Sequence, residues 1–167
     1  ITKDTIEAAR IARMGGDAVQ KLKSAAVGIA GLGGLGSHIA VHLARMGVGR
    51  LVLADFDRVD LTNLHRQHYD LEQIGQYKTE ALASQLRNID PYLAYDLHTV
   101  RVSEENAATL FSSCSVVCEA FDRADQKALL IETLLAECPD TVIVSGSGMA
   151  GIGSANTVQT RRVMTRL

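Results

Sequence analysis

The sequence is poor in several things that would have pointed elsewhere. Its three cysteines, Cys114, Cys118 and Cys138, form no C-x-x-C pair, so neither a zinc site nor a dithiol redox motif is indicated. They read as three thiols packed in a reducing cytoplasm. There is no basic surplus: 17 lysines and arginines face 19 acids, for a net charge of -2, so a nucleic-acid partner is not expected. No apolar run is long enough to span a bilayer, because the most apolar stretch, Ala25 to Gly36, is short and glycine-rich. The opening "ITKDTIEAAR" is polar with a helical pattern and does not read as a signal peptide. Repeats, low-complexity tracts and linkers are missing too.

What is present is an alternation of short apolar runs with amphipathic stretches in a 167-residue chain that is 47% hydrophobic. Residues 1–23 read as one or two helices broken at Gly15-Gly16. Strands are expected at 25–30, 50–55, 94–100, 115–120 and 141–146, with a sixth suggested by alternation over 155–161. Helices are expected at 34–46, 75–88, 104–111 (with Ser103 as N-cap) and 123–137. The polar segment from Asp55 to Ile74 allows one short helical stretch at most. This order implies an α/β, Rossmann-like, mostly parallel sheet with helices on both faces and a helical N-terminal segment. The chain reads as a single domain, residues 1–167, with its core over 24–167. It stops soon after the expected sixth strand, so a longer natural protein is expected.

Gly31-Leu32-Gly33-Gly34-Leu35-Gly36 lies between the first strand and the next helix. Of its glycines, Gly31 permits the tight turn, Gly33 lets backbone approach phosphate, and Gly36 lets helix and strand pack closely. Asp55 ends the second strand, at the spacing of a carboxylate that holds ribose hydroxyls. This fingerprint alone suits NAD, FAD or ATP. The residues after it discriminate. "DFDRVDLTNLHRQ" and "GQYK" supply Asn63, Arg66, Gln67 and Lys78, donors suited to a polyphosphate, with Asp57 in the same segment. Asp122, in "EAFDRADQK", follows the fourth strand at the same sheet edge and is a natural Mg²⁺ ligand beside a triphosphate. Arg58, Asp60 and Arg123 read as surface charges. A dehydrogenase would leave Asn63, Arg66, Lys78 and Asp122 idle.

On "GLGGLGS", "LVLADFD", "NLHRQ", "IGQYK" and "EAFD", in order and family-like in spacing, the chain resembles the adenylating domain of the ubiquitin-activating superfamily. It is similar to the bacterial ThiF and MoeB proteins, and to ThiF-like members in "EAFD" and "SGSGMAGIGSANTVQTRR". The resemblance runs from about Leu22 to Arg162.

It implies ATP and Mg²⁺. Asp55 would hold the ribose, Asn63 and Arg66 the phosphates, Lys78 would neutralise them, and Asp122 would serve the metal. Arg66, Lys78 and Asp122 are the expected catalytic residues; Gly31, Gly33, Gly34, Gly36, Asp55, Asp57, Asn63, Arg66, Gln67 and Lys78 are the expected nucleotide contacts. The implied reaction is adenylation of the C-terminal glycine carboxylate of a ubiquitin-like sulfur carrier protein with a diglycine tail, by a cytoplasmic homodimer. The alternatives are adenylation of a small molecule or a modified tRNA base on the same fold, or an NAD-dependent oxidoreductase. Arg10 and Arg13 are candidates for an arginine that family members place in the partner's ATP site, although the usual surrounding motif is absent. His38 and His42, four apart on a helix, have no third metal ligand in view and read as surface or packing residues. His65 reads as site lining; His68 and His98 carry no signal.

Overall fold

The computed structural model describes residues 1–146 and 154–167. Ser147 to Gly153, within the "SGSGMAGIGSANTVQTRR" motif, lie outside the described residues.

Two helices, α1 (Lys3–Met14) and α2 (Gly16–Ser24), open the chain and meet at Gly15, which takes a left-handed φ of 83°. There follow β1 (Ala26–Ala30), α3 (Gly36–Met46), β2 (Arg50–Ala54), α4 (Lys78–Ile89), β3 (Ala94–His98), α5 (Glu104–Phe111), β4 (Val116–Glu119), α6 (Ala124–Glu137) and β5 (Val142–Ser145). Among the described residues the five strands are parallel, in the order β3-β2-β1-β4-β5. That order reverses direction between β1 and β4, and ligands of such sheets sit beyond the carboxyl ends at this switch point.

Each strand sends alternate side chains to opposite faces, and both faces are covered. Val27, Ile29, Leu51 and Leu53 pack with Ala40, Val41, Leu82 and Leu86 of α3 and α4. Ala30, Val52, Val117 and Ile143 pack with Phe111, Leu130 and Leu134 of α5 and α6. A side chain at Gly28 would meet the Phe111 ring at 2.6 Å, so glycine here is what brings α5 close to β1. No helix among the described residues is long and apolar enough to cross a membrane.

Three expectations need correction. The segment after β2 holds two 3₁₀ turns, Leu61–Asn63 and Leu71–Gln73, where one short helical stretch at most is expected. Each is built the same way: Asp60 and Asp70 accept from the backbone two residues on, a local geometry that hydropathy does not report. The helix expected from Gly75 begins at Lys78, because Gly75 adopts φ 85° and turns the chain back. The sixth strand is not formed. A 3₁₀ turn, Ala155–Thr157, leads into residues without regular structure, and Val158 is 69% exposed. The Ile143 N–H on β5 donates instead to the Arg166 carbonyl at 2.7 Å. The Arg166 guanidinium in turn donates to the Leu135, Cys138 and Thr141 carbonyls at the end of α6.

All three cysteines are free and buried. Burial pushes the Cys114 thiol up to about 11 and raises Cys118 and Cys138. Burial also pushes the Tyr95 hydroxyl up to about 12. These groups stay protonated in the fold at pH values where the unfolded chain has begun to release its protons. The Cys114 contribution to stability is complete below the unfolded thiol's pKa of about 8.5 and is lost as pH rises toward 11, and that of Tyr95 is complete below the unfolded phenol's pKa of about 10 and is lost toward 12. The urea midpoint is therefore expected to be lower at about pH 10.5 than at about pH 8. Iodoacetamide should label the thiols only after unfolding.

Candidate nucleotide site

The loop from Gly31 to Leu35 joins β1 to α3 at the switch point. Gly31 has φ 88°, and its N–H donates to the Ala54 carbonyl at 2.9 Å. A side chain at Gly31 would sit 3.0 Å from the Ala120 carbonyl oxygen and from the Phe121 ring, so the turn after β4 closes directly on the loop. At Gly36 an added Cβ would collide with the Gly31 carbonyl oxygen. Gly33 and Gly34 are different: around them there is room. The nearest atom to a Cβ at Gly33 would be Gln67 Nε2 at 3.7 Å, and at Gly34 the Arg66 carbonyl oxygen at 3.6 Å and Cγ at 3.7 Å. "GLGGLG" thus has two packing glycines flanking two that open onto "NLHRQ".

Asp55 is 7% exposed, and both its carboxylate oxygens take backbone N–H groups: Leu32 at 2.7 Å and Asp57 at 2.8 Å. It staples the glycine loop to the end of β2, a task additional to the ribose contact expected of it. The Leu32 carbonyl is held by the Tyr69 hydroxyl at 2.8 Å. Burial, with the Asp55 charge second, raises the Tyr69 pKa well above the ordinary tyrosine value. Ser37 donates to the Gly33 carbonyl at 2.6 Å and accepts from the His68 N–H at 3.0 Å, which ties "NLHRQ" to the start of α3. Tyr69 and Ser37 were not legible as loop supports, since nothing in their sequence neighbourhood announces their distant partners. Tyr69→Phe keeps the ring and orphans a buried carbonyl, which costs about 1–3 kcal/mol. A lower melting temperature and weaker ATP binding by calorimetry are expected; an unchanged ATP affinity would refute this role for Tyr69.

The Leu61–Asn63 turn aims the basic residues. The Asn63 carbonyl accepts from the Arg66 and Gln67 N–H groups at 3.1 and 3.0 Å, and Asn63 Oδ1 accepts from the Asp60 N–H at 3.3 Å. Arg66 lies exposed over Gly34, its guanidinium 3.4 Å from the Thr62 carbonyl oxygen and from a ring nitrogen of His65. His38 donates from Nε2 to the Arg66 carbonyl at 3.2 Å, and its ring meets His68 edge-on at 5.4 Å. Gln67 is 7% exposed, and its Oε1 is buried without a partner among the described residues. Among the described residues no side chain caps the N-terminus of α3, whose N-cap is Leu35. An uncapped helix start, two open glycines, an arginine and a buried unsatisfied amide make a donor set and a cradle that fit a nucleotide phosphate.

Lys78, the first residue of α4, is 5% exposed. Its Nζ lies 2.9 Å from Asp57 Oδ2 and 4.0 Å from Asp55 Oδ2, so the two acids of "DFD" neutralise the buried ammonium. Asp122 is exposed in the turn after β4, next to Phe121, which touches Gly31. Among the described residues no three His, Cys, Asp or Glu side chains gather as a metal site. A lone carboxylate nevertheless fits Mg²⁺, which takes its other ligands from phosphate and water. Arg10 is committed elsewhere: it pairs with Asp90 at 2.8 Å and donates to the Ala44 carbonyl at the far end of α3. Arg13 is exposed.

A further acid at this edge is absent from the expected site residues. Glu119, the last residue of β4, is 1% exposed and paired with Lys127 at 3.0 Å. An acid closing an apolar run with a lysine eight residues on was the available signal.

A family profile described as the ThiF family matches residues 7–164. The chain is 36% identical over 132 residues to the adenylyltransferase and sulfurtransferase MOCS3 of Caenorhabditis briggsae, covering 78% of this chain and 32% of that protein. It is 37% identical over 103 residues to the adenylyltransferase and sulfurtransferase UBA4 of Kluyveromyces lactis, covering 61% and 23%. The chain spans about a third of the length of the curated relatives it matches or less. Among solved structures it is similar to the E. coli tRNA N6-threonylcarbamoyladenosine dehydratase TcdA in complex with ATP. The TM-score is 0.78 at 31% identity, over 86% of this chain and 60% of that one. It also resembles E. coli MccB with ATP, at TM-score 0.68 and 25% identity, over 77% and 39%.

Proposed function

Since the chain belongs to the ThiF family, we propose that it is an ATP-dependent adenylyltransferase acting on the C-terminal glycine carboxylate of a ubiquitin-like sulfur carrier protein. The observation that carries this reading is the placement of Arg66 and Gln67 over the open glycines Gly33 and Gly34 at the uncapped start of α3. A nicotinamide enzyme has no use for that cluster. A carrier's terminal carboxyl, with an ordinary pKa of about 3.5, is ionised at neutral pH and needs no general base. One carboxylate oxygen bonds to the α-phosphorus of ATP as the bond from that phosphorus to the bridging oxygen breaks. The products are acyl-adenylate and pyrophosphate. The barrier is anion–anion repulsion and the charge gathering on pyrophosphate.

Arg66 and Lys78 answer that charge electrostatically, while the Gly31–Gly36 loop and Asn63 hold the phosphates in line. Asp55 orients the ribose with the oxygen lone pairs left over from its two backbone bonds. Asp122 would hold Mg²⁺, which supplies charge neutralisation on the polyphosphate. Lys78 gives up Asp57 for phosphate on binding, and Asp57, half-exposed, returns to solvent.

The proposal includes a homodimer in the cytoplasm, serving thiamine or related sulfur-cofactor synthesis. Val142 and Val144 stand exposed on edge strand β5, which suits a partner surface. A second reading is adenylation of a modified tRNA base, favoured by the likeness to TcdA. ATP–pyrophosphate exchange tests both. Exchange that requires a diglycine-tailed carrier supports the first. Exchange that requires tRNA, with none for any carrier, replaces it with the second.

A further inference from the structure

Behind the strand ends lies a charged cluster that the proposed chemistry does not use. Glu119 is fully inside the protein, and its oxygens accept from Lys127 Nζ at 3.1 and 3.0 Å, from the Ser145 hydroxyl at 2.6 Å and from the Phe121 N–H at 2.7 Å. Lys127 spends a further bond on the Gly146 carbonyl at 2.8 Å. One ion pair therefore ties together the end of β4, the first turn of α6 and the end of β5.

Such a pair is a poor way to gain stability. Desolvating two charges costs about as much as their attraction returns, and apolar replacements of the same shape are often neutral or better. Its geometry suggests a different use. The bond to Phe121 N–H fixes the turn from Ala120 to Arg123. In that turn the Ala120 carbonyl and the Phe121 ring abut Gly31, and Asp122 is the next residue.

We propose that Glu119 and Lys127 are positioning residues: they set the height of the β4 turn against the glycine loop and so place Asp122 for phosphoryl chemistry. This rests on the adenylation reading for its chemical consequence, but not for its structural one. The residues that would touch ATP keep their own supports, Asp55, Tyr69 and Ser37. Loss of the pair therefore acts on turnover more than on nucleotide affinity.

The test is the double variant Glu119→Leu with Lys127→Met, which removes both charges together with the acceptor of the Phe121 N–H and leaves neither charge buried alone. Three quantities are read in the full chain: amide hydrogen exchange at Phe121, the Kd for MgATP, and kcat for pyrophosphate exchange per folded molecule. Faster exchange at Phe121, a Kd within about threefold of wild type and a kcat lower by about a hundredfold are expected, the last being the cost of roughly 1 Å of misplacement. A purely structural pair would lower the melting temperature and leave kcat per folded molecule unchanged, which overturns the proposal. Unchanged protection at Phe121 overturns it as well.

If the double variant does not fold, Ser145→Ala removes one bond from the same cluster. It should reduce kcat about fivefold, the equivalent of one hydrogen bond; wild-type kcat there refutes the idea. A wild-type chain that shows no exchange with any acceptor defeats the adenylation reading. Phe121 protection still judges whether the pair holds the turn.

Discussion

Lys78→Met is expected to abolish nearly all pyrophosphate exchange while leaving the fold in place. The ammonium is buried at the first residue of α4 and faces Asp57 and Asp55. In the proposed reaction it moves from Asp57 to phosphate. A charge-assisted hydrogen bond is worth about 1.5–3 kcal/mol, so the Kd for MgATP should rise about 10- to 100-fold. Turnover should fall further, by about 10²–10³, because the charge on departing pyrophosphate is largest in the transition state.

The fold should survive for a reason visible in the bonding. Asp55 keeps its two backbone N–H partners, and Asp57 is half-exposed and can turn to water. Neither acid becomes an isolated buried charge, the situation that makes broken ion pairs so costly. Exchange kinetics at saturating ATP, with a thermal melt on the same sample, checks both halves. Turnover near wild type would remove Lys78 from the chemistry.

Gly36→Ala should have the opposite character and act first on stability. The new methyl would fall on the Gly31 carbonyl oxygen and 3.2 Å from the Ile29 side chain. The oxygen belongs to backbone, and the Gly31 N–H is bonded to Ala54. Nothing flexible can give way, so α3 would have to move off β1. Overpacking of that kind costs about 3 kcal/mol or more, equivalent to about 6–12 °C in melting temperature for a chain of this size.

Gly33→Ala is the control. The nearest atom to its methyl is Gln67 Nε2, 3.7 Å away at the end of a side chain, so the fold should be kept. The methyl would nonetheless stand where phosphate has to approach, and ATP affinity should drop. A Gly36→Ala protein that melts like wild type, or a Gly33→Ala protein that binds ATP like wild type, would show that the two kinds of glycine in this loop are not divided as described.

The glycine spacing, the acid ending the second strand and the alternation of apolar runs with amphipathic helices were readable without coordinates. All are local signals: a left-handed turn at Gly31, a strand that must bury both faces and a helix with one apolar stripe leave periodic or compositional traces. The order of Asn63, Arg66, Gln67 and Lys78 after β2 was equally plain, and so was their suitability for polyphosphate.

Their placement was not. Residues 55–77 have no apolar period, because their path is dictated by Asp60 and Asp70 capping two short turns and by Gly75 turning back toward Val59. The Tyr69 bond to Leu32 spans 37 residues, and the Ser145 bond to Glu119 spans 26. The false sixth strand fails on similar grounds: alternation over 155–161 is real, but the edge of β5 is met by Arg166. Periodicity reports which side of an element is buried. Partners brought together by crossovers depend on how the whole sheet closes, and a buried charge such as Glu119 is tolerable only where that closure delivers Lys127 to it.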